Sequence, residues 1–234
     1  MGNLYLATYN AALSVAWGYV LYLTVTMSFL QHQSTQELYK AVEVPLKVAQ
    51  TAAVMEVVHS AVGLVRSPVA ITALQVASRL WVLWGLIVPV PGPTTSGALR
   101  LALPAGLQLG SLSLATLLLA WGASEVIRYS FFACKELGSV PYPLLWLRYS
   151  GFIVLYPLGV ASELTMAYLA MPTIKRTSLW AYTMPNALNI GFDYYIVCWL
   201  IIAGYLPGLP QLYSYLLGQR RKQLGAAAGK VKAT

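Results

Sequence analysis

The sequence predicts an all-α polytopic membrane protein with six transmembrane helices and both termini in the cytosol. Three observations lead there. Of the 234 residues, 58% are hydrophobic and 9% charged, where an ordinary soluble domain carries roughly a quarter charged residues. A mean hydropathy of +0.64 leaves more apolar side chains than one core of this size can hide, and the same excess excludes a disordered chain. Finally, runs nearly free of charge and close to the roughly 20 residues needed to cross hydrocarbon occur six times.

The first run is residues 9–30. No Asp, Glu, Lys or Arg precedes Glu37, and without a basic leader or a cleavage site the run reads as a retained span, not a removed signal peptide. The second, residues 48–65, contains Glu56 and His59, and the third, residues 69–90, contains Arg79; Arg66-Ser-Pro68 joins them as a short turn. The Pro- and Gly-rich stretch 89–97 cannot continue a helix. Beyond it lie a fourth run at residues 101–127, a fifth at 147–170 with Glu163 inside, and a sixth at 187–206 with Asp193 inside.

The net charge of +8 does not describe a nucleic-acid-binding face, because Arg220, Arg221, Lys222, Lys230 and Lys232 crowd the last fifteen residues. The chain divides into a membrane domain, residues 1–219, and a basic cytosolic tail, residues 220–234. An even number of spans puts both termini on one side. With the tail cytosolic, Arg66, Arg128, Lys135 and Arg148 join the five tail bases there, against Lys40, Lys47, Arg100, Lys175 and Arg176 opposite. That excess follows the positive-inside rule. The ending Lys230-Val-Lys-Ala-Thr234 fits a Lys-x-Lys-x-x retrieval pattern of endoplasmic reticulum membrane proteins.

Ionisable groups inside a bilayer are costly, so each is a site hypothesis. At about 100° per residue, Glu56, His59, Ser60 and Gly63 share one face, which either pairs with polar groups such as Arg79 or touches substrate. Glu125 and Arg128, three apart, form a local ion pair. Asp193, with Asn186 and Asn189, reads as interhelical hydrogen bonding. On the fifth helix Tyr149, Tyr156 and Glu163 recur every seven residues, within about 40° of one stripe. Tyr156 and Glu163 are about 10.5 Å apart along the axis and Tyr149 about 21 Å from Glu163, so only the nearer pair can meet around one reacting group. Pro157 and Gly159 between them bend the helix and leave room. The pair either packs the helix or transfers protons, the carboxylate as base and the phenol as acid.

Several chemistries lack their residues. His32 and His59 are the only histidines, too few for His-box di-iron sites or a His-x-x-His-His cluster. There is no Gly-x-Gly-x-x-Gly for a dinucleotide. A cysteine phosphatase needs Arg six positions after its Cys, whereas Val140 follows Cys134 and Gly204 follows Cys198. Arg128-Tyr-Ser-Phe-Phe132 echoes Arg148-Tyr-Ser-Gly-Phe152, too briefly for the paired repeat of a transporter.

The segments Gln50-Thr-Ala-Ala-Val-Met-Glu56, His59, Gly63-Leu-Val-Arg-Ser-Pro68, Ser78-Arg79, Glu125-Val-Ile-Arg-Tyr-Ser-Phe-Phe132, Trp146-Leu-Arg-Tyr-Ser150 and Leu155-Tyr-Pro-Leu-Gly-Val-Ala-Ser-Glu163 resemble those of the very-long-chain (3R)-3-hydroxyacyl-CoA dehydratases, once called protein-tyrosine-phosphatase-like proteins, and above all the plant members. The resemblance runs over residues 9–218. It implies a six-span endoplasmic reticulum enzyme whose catalytic pair falls on Tyr156 and Glu163, and a reaction that removes water from a 3-hydroxyacyl-CoA to give the trans-2-enoyl-CoA. It implies as partners the condensing enzyme, the ketoacyl reductase and the enoyl reductase of elongation. Dehydration is redox-neutral, so no metal, nicotinamide or flavin is expected. Arg128, Lys135 and Arg148 are candidates to face the anionic CoA at the cytosolic mouth, and Tyr149 and Arg79 complete the candidate substrate-binding set; the bases equally fit positive-inside anchors. The rival reading is a catalytically inactive membrane scaffold for elongation or signalling partners, to which the Tyr156 hydroxyl and the Glu163 charge would be dispensable.

Overall fold

The computed structural model describes residues 3–102, 108–186 and 189–231. Part of the Lys-x-Lys-x-x ending lies outside the described residues, as do residues 103–107 of the expected fourth span and the first two of the sixth.

The chain is mostly helical. Asn3 caps α1 (Leu4–Val25), which runs on as a π-helical stretch, Thr26–Leu30. Ser34 caps α2 (Thr35–Ala52) by accepting from the Glu37 amide. The α2 hydrogen bonding breaks at Ala53, and α3 (Val54–Ala61) follows. Gly63, at φ +76°, lets the backbone turn back so that the amides of Leu64 and Val65 bond to the His59 carbonyl, a glycine-terminated helix end. Gly63 therefore ends α3 and does not continue its polar face. Pro68 precedes α4 (Val69–Leu80), which continues as a second π-helical stretch, Trp81–Ile87.

The largest departure from expectation is at the fourth span. Residues 89–113 form a short helix, α5 (Pro91–Ser96), and an antiparallel hairpin, β1 (Ala98–Ala102) with β2 (Gln108–Ser113). Freedom from charge is not helix propensity: Gly110 sits at φ +127°, a region closed to an α-helix, and the Ser-Leu-Ser alternation before Leu114 has the period of a strand. The helix α6 (Leu114–Glu136) starts only after Ser113 and Thr116 make a reciprocal capping box. The fifth span is also divided. Helix α7 (Tyr142–Ser150) ends at Gly151 and α8 (Phe152–Thr177) follows, which moves Tyr149 off the helix of Tyr156 and Glu163. Helix α9 (Tyr194–Val231) passes through Pro207 and Pro210 and on through residue 220 without a break. Asp193 is exposed and accepts from the Tyr195 amide at 2.8 Å. It caps α9 and, among the described residues, makes no interhelical hydrogen bond of the kind expected.

Four helical stretches are long and apolar enough to cross a membrane: Leu4–Leu30, Val69–Ile87, Phe152–Thr177 and Tyr194–Gly225. Large apolar side chains stand exposed on them, among them Val15, Leu74, Val154 and Leu200, as lipid-facing surfaces require.

Helix α6 is the centre of the bundle. It packs on α1, where a side chain at Gly122 would press on Leu21 at 3.1 Å and Ser14 bonds Ser130 at 2.7 Å. It packs on α8 where Thr116 bonds Ser162 at 3.0 Å. Small residues and hydroxyls at these contacts allow the close approach that membrane helices rely on. Trp17, Leu38, Leu83, Leu86, Leu117 and Met166 fill the core between them. Asn3 bonds Glu136 and Tyr5 bonds His59 at one end of the bundle. At the other end, Thr35 bonds the Thr95 carbonyl and Leu169 lies against Gly97.

Tyr194 donates to the Gly85 carbonyl at 3.0 Å, a carbonyl in the second π-helical stretch, and a methyl on Gly85 would collide with that hydroxyl. Gly85→Ala should cost about 1–3 kcal/mol and lower the thermal midpoint in detergent. Gly18→Ala, on a face of α1 with nothing within 4 Å, should stay within about 1 kcal/mol of the parent.

Candidate active site

Four residues of α6, at successive intervals of four, three and one, project polar groups into the bundle: Trp121, Glu125, Arg128 and Tyr129. Glu125 is 1% exposed, so it cannot stand alone as a charge. Two cations meet it. Arg128, one turn on, donates from Nε at 2.9 Å and Nη2 at 2.5 Å, the local pair expected from their spacing. Arg79 of α4 forms an ion pair with the other carboxylate oxygen. Arg128 also holds Glu56 of α3 through both terminal nitrogens, at 2.6 and 2.7 Å, and Tyr129 donates to the same carboxylate. Glu56 therefore pairs with Arg128 across the bundle, not with Arg79. His59 bonds Tyr5 at 2.9 Å and packs edge-on against the rings of Tyr5 and Tyr9.

Glu163, on α8, is of another kind. It is 9% exposed, and its oxygens accept from Trp121 Nε1 at 2.8 Å and from the Tyr205 hydroxyl at 2.9 Å. Both donors are neutral. Among the described residues no cation lies within ion-pair distance of Glu163, while Glu56 and Glu125 each have at least one. Arg79 lies within electrostatic range of Glu163, which connects the ion network to this carboxylate without neutralising it directly.

Tyr156 lies two turns before Glu163 on α8 and within electrostatic range of it. It is half-buried, its ring stacks on Tyr213 of α9 at 6.1 Å, and its hydroxyl bonds to no other described residue. Tyr156, Pro157, Val160, Leu164, Leu209 and Pro210 line an open, apolar groove of about 450 Å³ between α8 and α9. A carboxylate held by neutral donors, an unengaged phenol and an apolar groove together suit proton transfer on a substrate with a long apolar part.

The other candidate residues fall into two groups. Arg79 and Arg128 belong to the ion network. Arg148 and Tyr149 lie on α7, where Tyr149 packs edge-on against Phe131 at 5.9 Å and the Arg148 guanidinium lies 5.8 Å from the Phe132 ring and pairs with no carboxylate among the described residues. Sequence reasoning missed Trp121, Tyr205 and Tyr213. Tyr205, Tyr213 and Arg220 recur at intervals of eight and seven and so share one face of a helix, a signal hidden by ending the sixth span at residue 206.

Removing Arg128 would strand Glu56 and leave Glu125 with Arg79 alone. Arg128→Met should cost about 3–5 kcal/mol and show as a large drop in thermal midpoint and in monodisperse yield. Lys47→Ala, which removes the half-buried i,i+4 pair to Glu43 on α2, should cost no more than about 1 kcal/mol.

The family model of the protein tyrosine phosphatase-like protein PTPLA matches residues 50–226. A protein of Arabidopsis thaliana named very-long-chain (3R)-3-hydroxyacyl-CoA dehydratase PASTICCINO 2 is 43% identical over 224 residues, 95% of this chain and 93% of its own length. The Caenorhabditis elegans very-long-chain (3R)-3-hydroxyacyl-CoA dehydratase hpo-8 is 40% identical over 227 residues, 97% of both chains. The human very-long-chain (3R)-3-hydroxyacyl-CoA dehydratase 2 is 36% identical over 224 residues, 96% of this chain and 82% of its own. No solved structure matches the chain. The matched region holds Glu56, Arg79, Glu125, Arg128, Tyr156, Glu163 and Tyr205, the whole of the polar constellation on α3, α4, α6, α8 and α9, and with it the chain belongs to the PTPLA, or protein tyrosine phosphatase-like, family.

Proposed function

We propose that the chain is a very-long-chain (3R)-3-hydroxyacyl-CoA dehydratase, a hydro-lyase of fatty acid elongation, and that Tyr156 and Glu163 carry the reaction. The substrate class comes from relatives that match nearly the whole chain. The assignment of residues rests on one observation: Glu163 is the buried carboxylate held by neutral donors, and it lies two turns from a phenol that bonds to nothing else described.

Glu163 takes the C2 proton, which the neighbouring thioester makes acidic. The electron pair of that C–H bond becomes the C2–C3 double bond as the C3–O bond breaks, and Tyr156 gives its proton to the departing oxygen, which leaves as water. Proton return from Glu163 to the phenolate through water restores both groups. Trp121 and Tyr205 fix the carboxylate; Arg79 lies within electrostatic range of it, and Arg128 shares Glu125 with Arg79. The acyl chain lies in the groove between α8 and α9. The groove is open and apolar, which suits a long acyl chain.

In this reading the chain crosses the endoplasmic reticulum membrane six times, with both termini cytosolic, α2 and α3 together making the second crossing and α6 the fourth. The contacts Asn3 to Glu136 and Tyr5 to His59 support it, since they gather the N-terminus, the α3–α4 turn and the α6–α7 turn at one end. The contacts of Thr35 with Thr95 and Gly97 with Leu169 gather the alternate turns at the other. Arg66, Lys135 and Arg148 fall at the first end with the basic tail that follows the membrane domain, as cytosolic bases should. The ketoacyl reductase supplies the substrate, the enoyl reductase consumes the product, and both work with the condensing enzyme.

Tyr156→Phe and Glu163→Gln should each lower turnover of a long-chain 3-hydroxyacyl-CoA at least about 100-fold, with the thermal midpoint in detergent retained. Near-normal turnover in both would remove the assignment and leave the scaffold reading standing. Tyr205→Phe, which leaves Glu163 with Trp121 alone, should lower kcat about tenfold with little change in KM.

A further inference from the structure

Helices α8 and α9 run antiparallel and touch through two rungs, and a third joins α9 to the end of α7. Tyr205 bonds Glu163 at 2.9 Å, Tyr213 stacks on Tyr156 at 6.1 Å, and Arg220 donates from Nε to Ser150 Oγ at 3.0 Å, just before the start of α8. At 1.5 Å per residue, Ser150 lies about 9 Å from Tyr156 and about 20 Å from Glu163 along the helix direction.

Beside the last rung is a second cavity of about 190 Å³, lined by Arg148, Tyr149, Phe152, Tyr215, Leu216 and Gln219. Its character is opposite to that of the apolar groove. Arg148 faces the rings of Phe132 and Tyr149 and pairs with no carboxylate among the described residues. Arg220 spends only Nε on Ser150, so its terminal nitrogens remain as donors, and Arg221 and Lys222 follow it on α9. Planar guanidiniums with open forks beside aromatic rings suit phosphate esters of an aromatic base. The ion network cannot serve this purpose, because the Arg128 nitrogens are already held by Glu56 and Glu125.

We propose that the Arg148–Arg220 cavity binds the nucleotide end of coenzyme A, its phosphates against the two guanidiniums. This rests on the dehydratase reading and extends it. Along the cleft the cationic cavity comes first, and the apolar groove begins at the phenol and runs to the level of the carboxylate, so phosphates and acyl chain have separate ends to occupy. The spacing also agrees. From sulfur to the first phosphorus the pantetheine arm has thirteen bonds, equivalent to a little over four extended residues, or about 15 Å. A phosphate beside Ser150 therefore places the thioester between the levels of Tyr156 and Glu163. Phosphate at this end stays in water while the acyl chain stays in lipid.

The test compares the CoA thioester of a 3-hydroxyacyl chain with its pantetheine thioester, which lacks the phosphates and the base, using the full chain in nanodiscs of phosphatidylcholine alone. In the parent, kcat/KM should favour the CoA ester, and the advantage should shrink with salt. Arg148→Ala and Arg220→Ala should each reduce that advantage about tenfold through KM, with partial recovery in Arg148→Lys and Arg220→Lys. Gln219→Glu, which keeps both arginines and adds a repelling charge, should reduce it as well and serves where an alanine variant folds poorly. An advantage equal to the parent's in all of these variants overturns the proposal, including the case in which the cavity takes a lipid phosphate that these discs also supply. A folded parent that turns over neither ester overturns the dehydratase reading itself, a distinguishable result.

Discussion

A guanidinium cannot enter the interior of a helix bundle unless acceptors are waiting for it, and Arg128 meets two carboxylates there. Glu125 comes from its own helix and Glu56 from α3. Arg79 closes the set from α4. The three helices are thereby held in one register, because a slip of one turn would leave a charge without a partner at a cost of several kcal/mol. Apolar packing alone has little power to set register between helices in lipid, where both alternatives are equally apolar. The small-residue contacts of α6 with α1 and α8 then bring the backbones close around that fixed register.

The same arithmetic explains why Glu163 differs from its neighbours. Three carboxylates share two guanidiniums, and both guanidiniums are committed to Glu56 and Glu125. Glu163 is left to Trp121 and Tyr205, which orient it and leave no counter-charge in contact. The structural charges thus consume the cations, and the remaining acid is the one beside the groove. Its orienting donors come from α6 and α9, so the position of the carboxylate depends on both helices that flank α8.

Much of this was legible in local spacing. Seven residues between Tyr156 and Glu163 put them on one face, three between Glu125 and Arg128 made a pair, and both relations hold because they lie within single helices. What failed were relations that spacing does not carry. Glu56 was expected near Arg79 and reaches Arg128, since the register of α3 against α6 is a tertiary quantity. Tyr149 was placed on the stripe of Tyr156 until the interruption at Gly151 separated them. Lack of charge in residues 101–113 was read as helix, although Gly110 and the alternating serines favour the hairpin. The sixth span was read as ending at residue 206, yet α9 continues through Pro207 and Pro210 and delivers Tyr213 to Tyr156.

That continuation of α9 has a consequence for the chemistry. A helix that stopped at the edge of the hydrocarbon would supply Tyr205 to Glu163 and nothing more. By running on to Val231, α9 supplies Tyr213 to the Tyr156 ring and Arg220 to the end of α7, so one rigid element makes contact at three successive levels. The acyl-CoA substrate has a part that must stay dissolved in lipid and a part that must stay in water, with the reacting carbons between them. A pair of antiparallel helices crossing from lipid to water offers both environments in the same order, and the reaction has to occur where they meet. In the proposed mechanism the carboxylate and the phenol serve that intermediate level, and α8 carries them two turns apart.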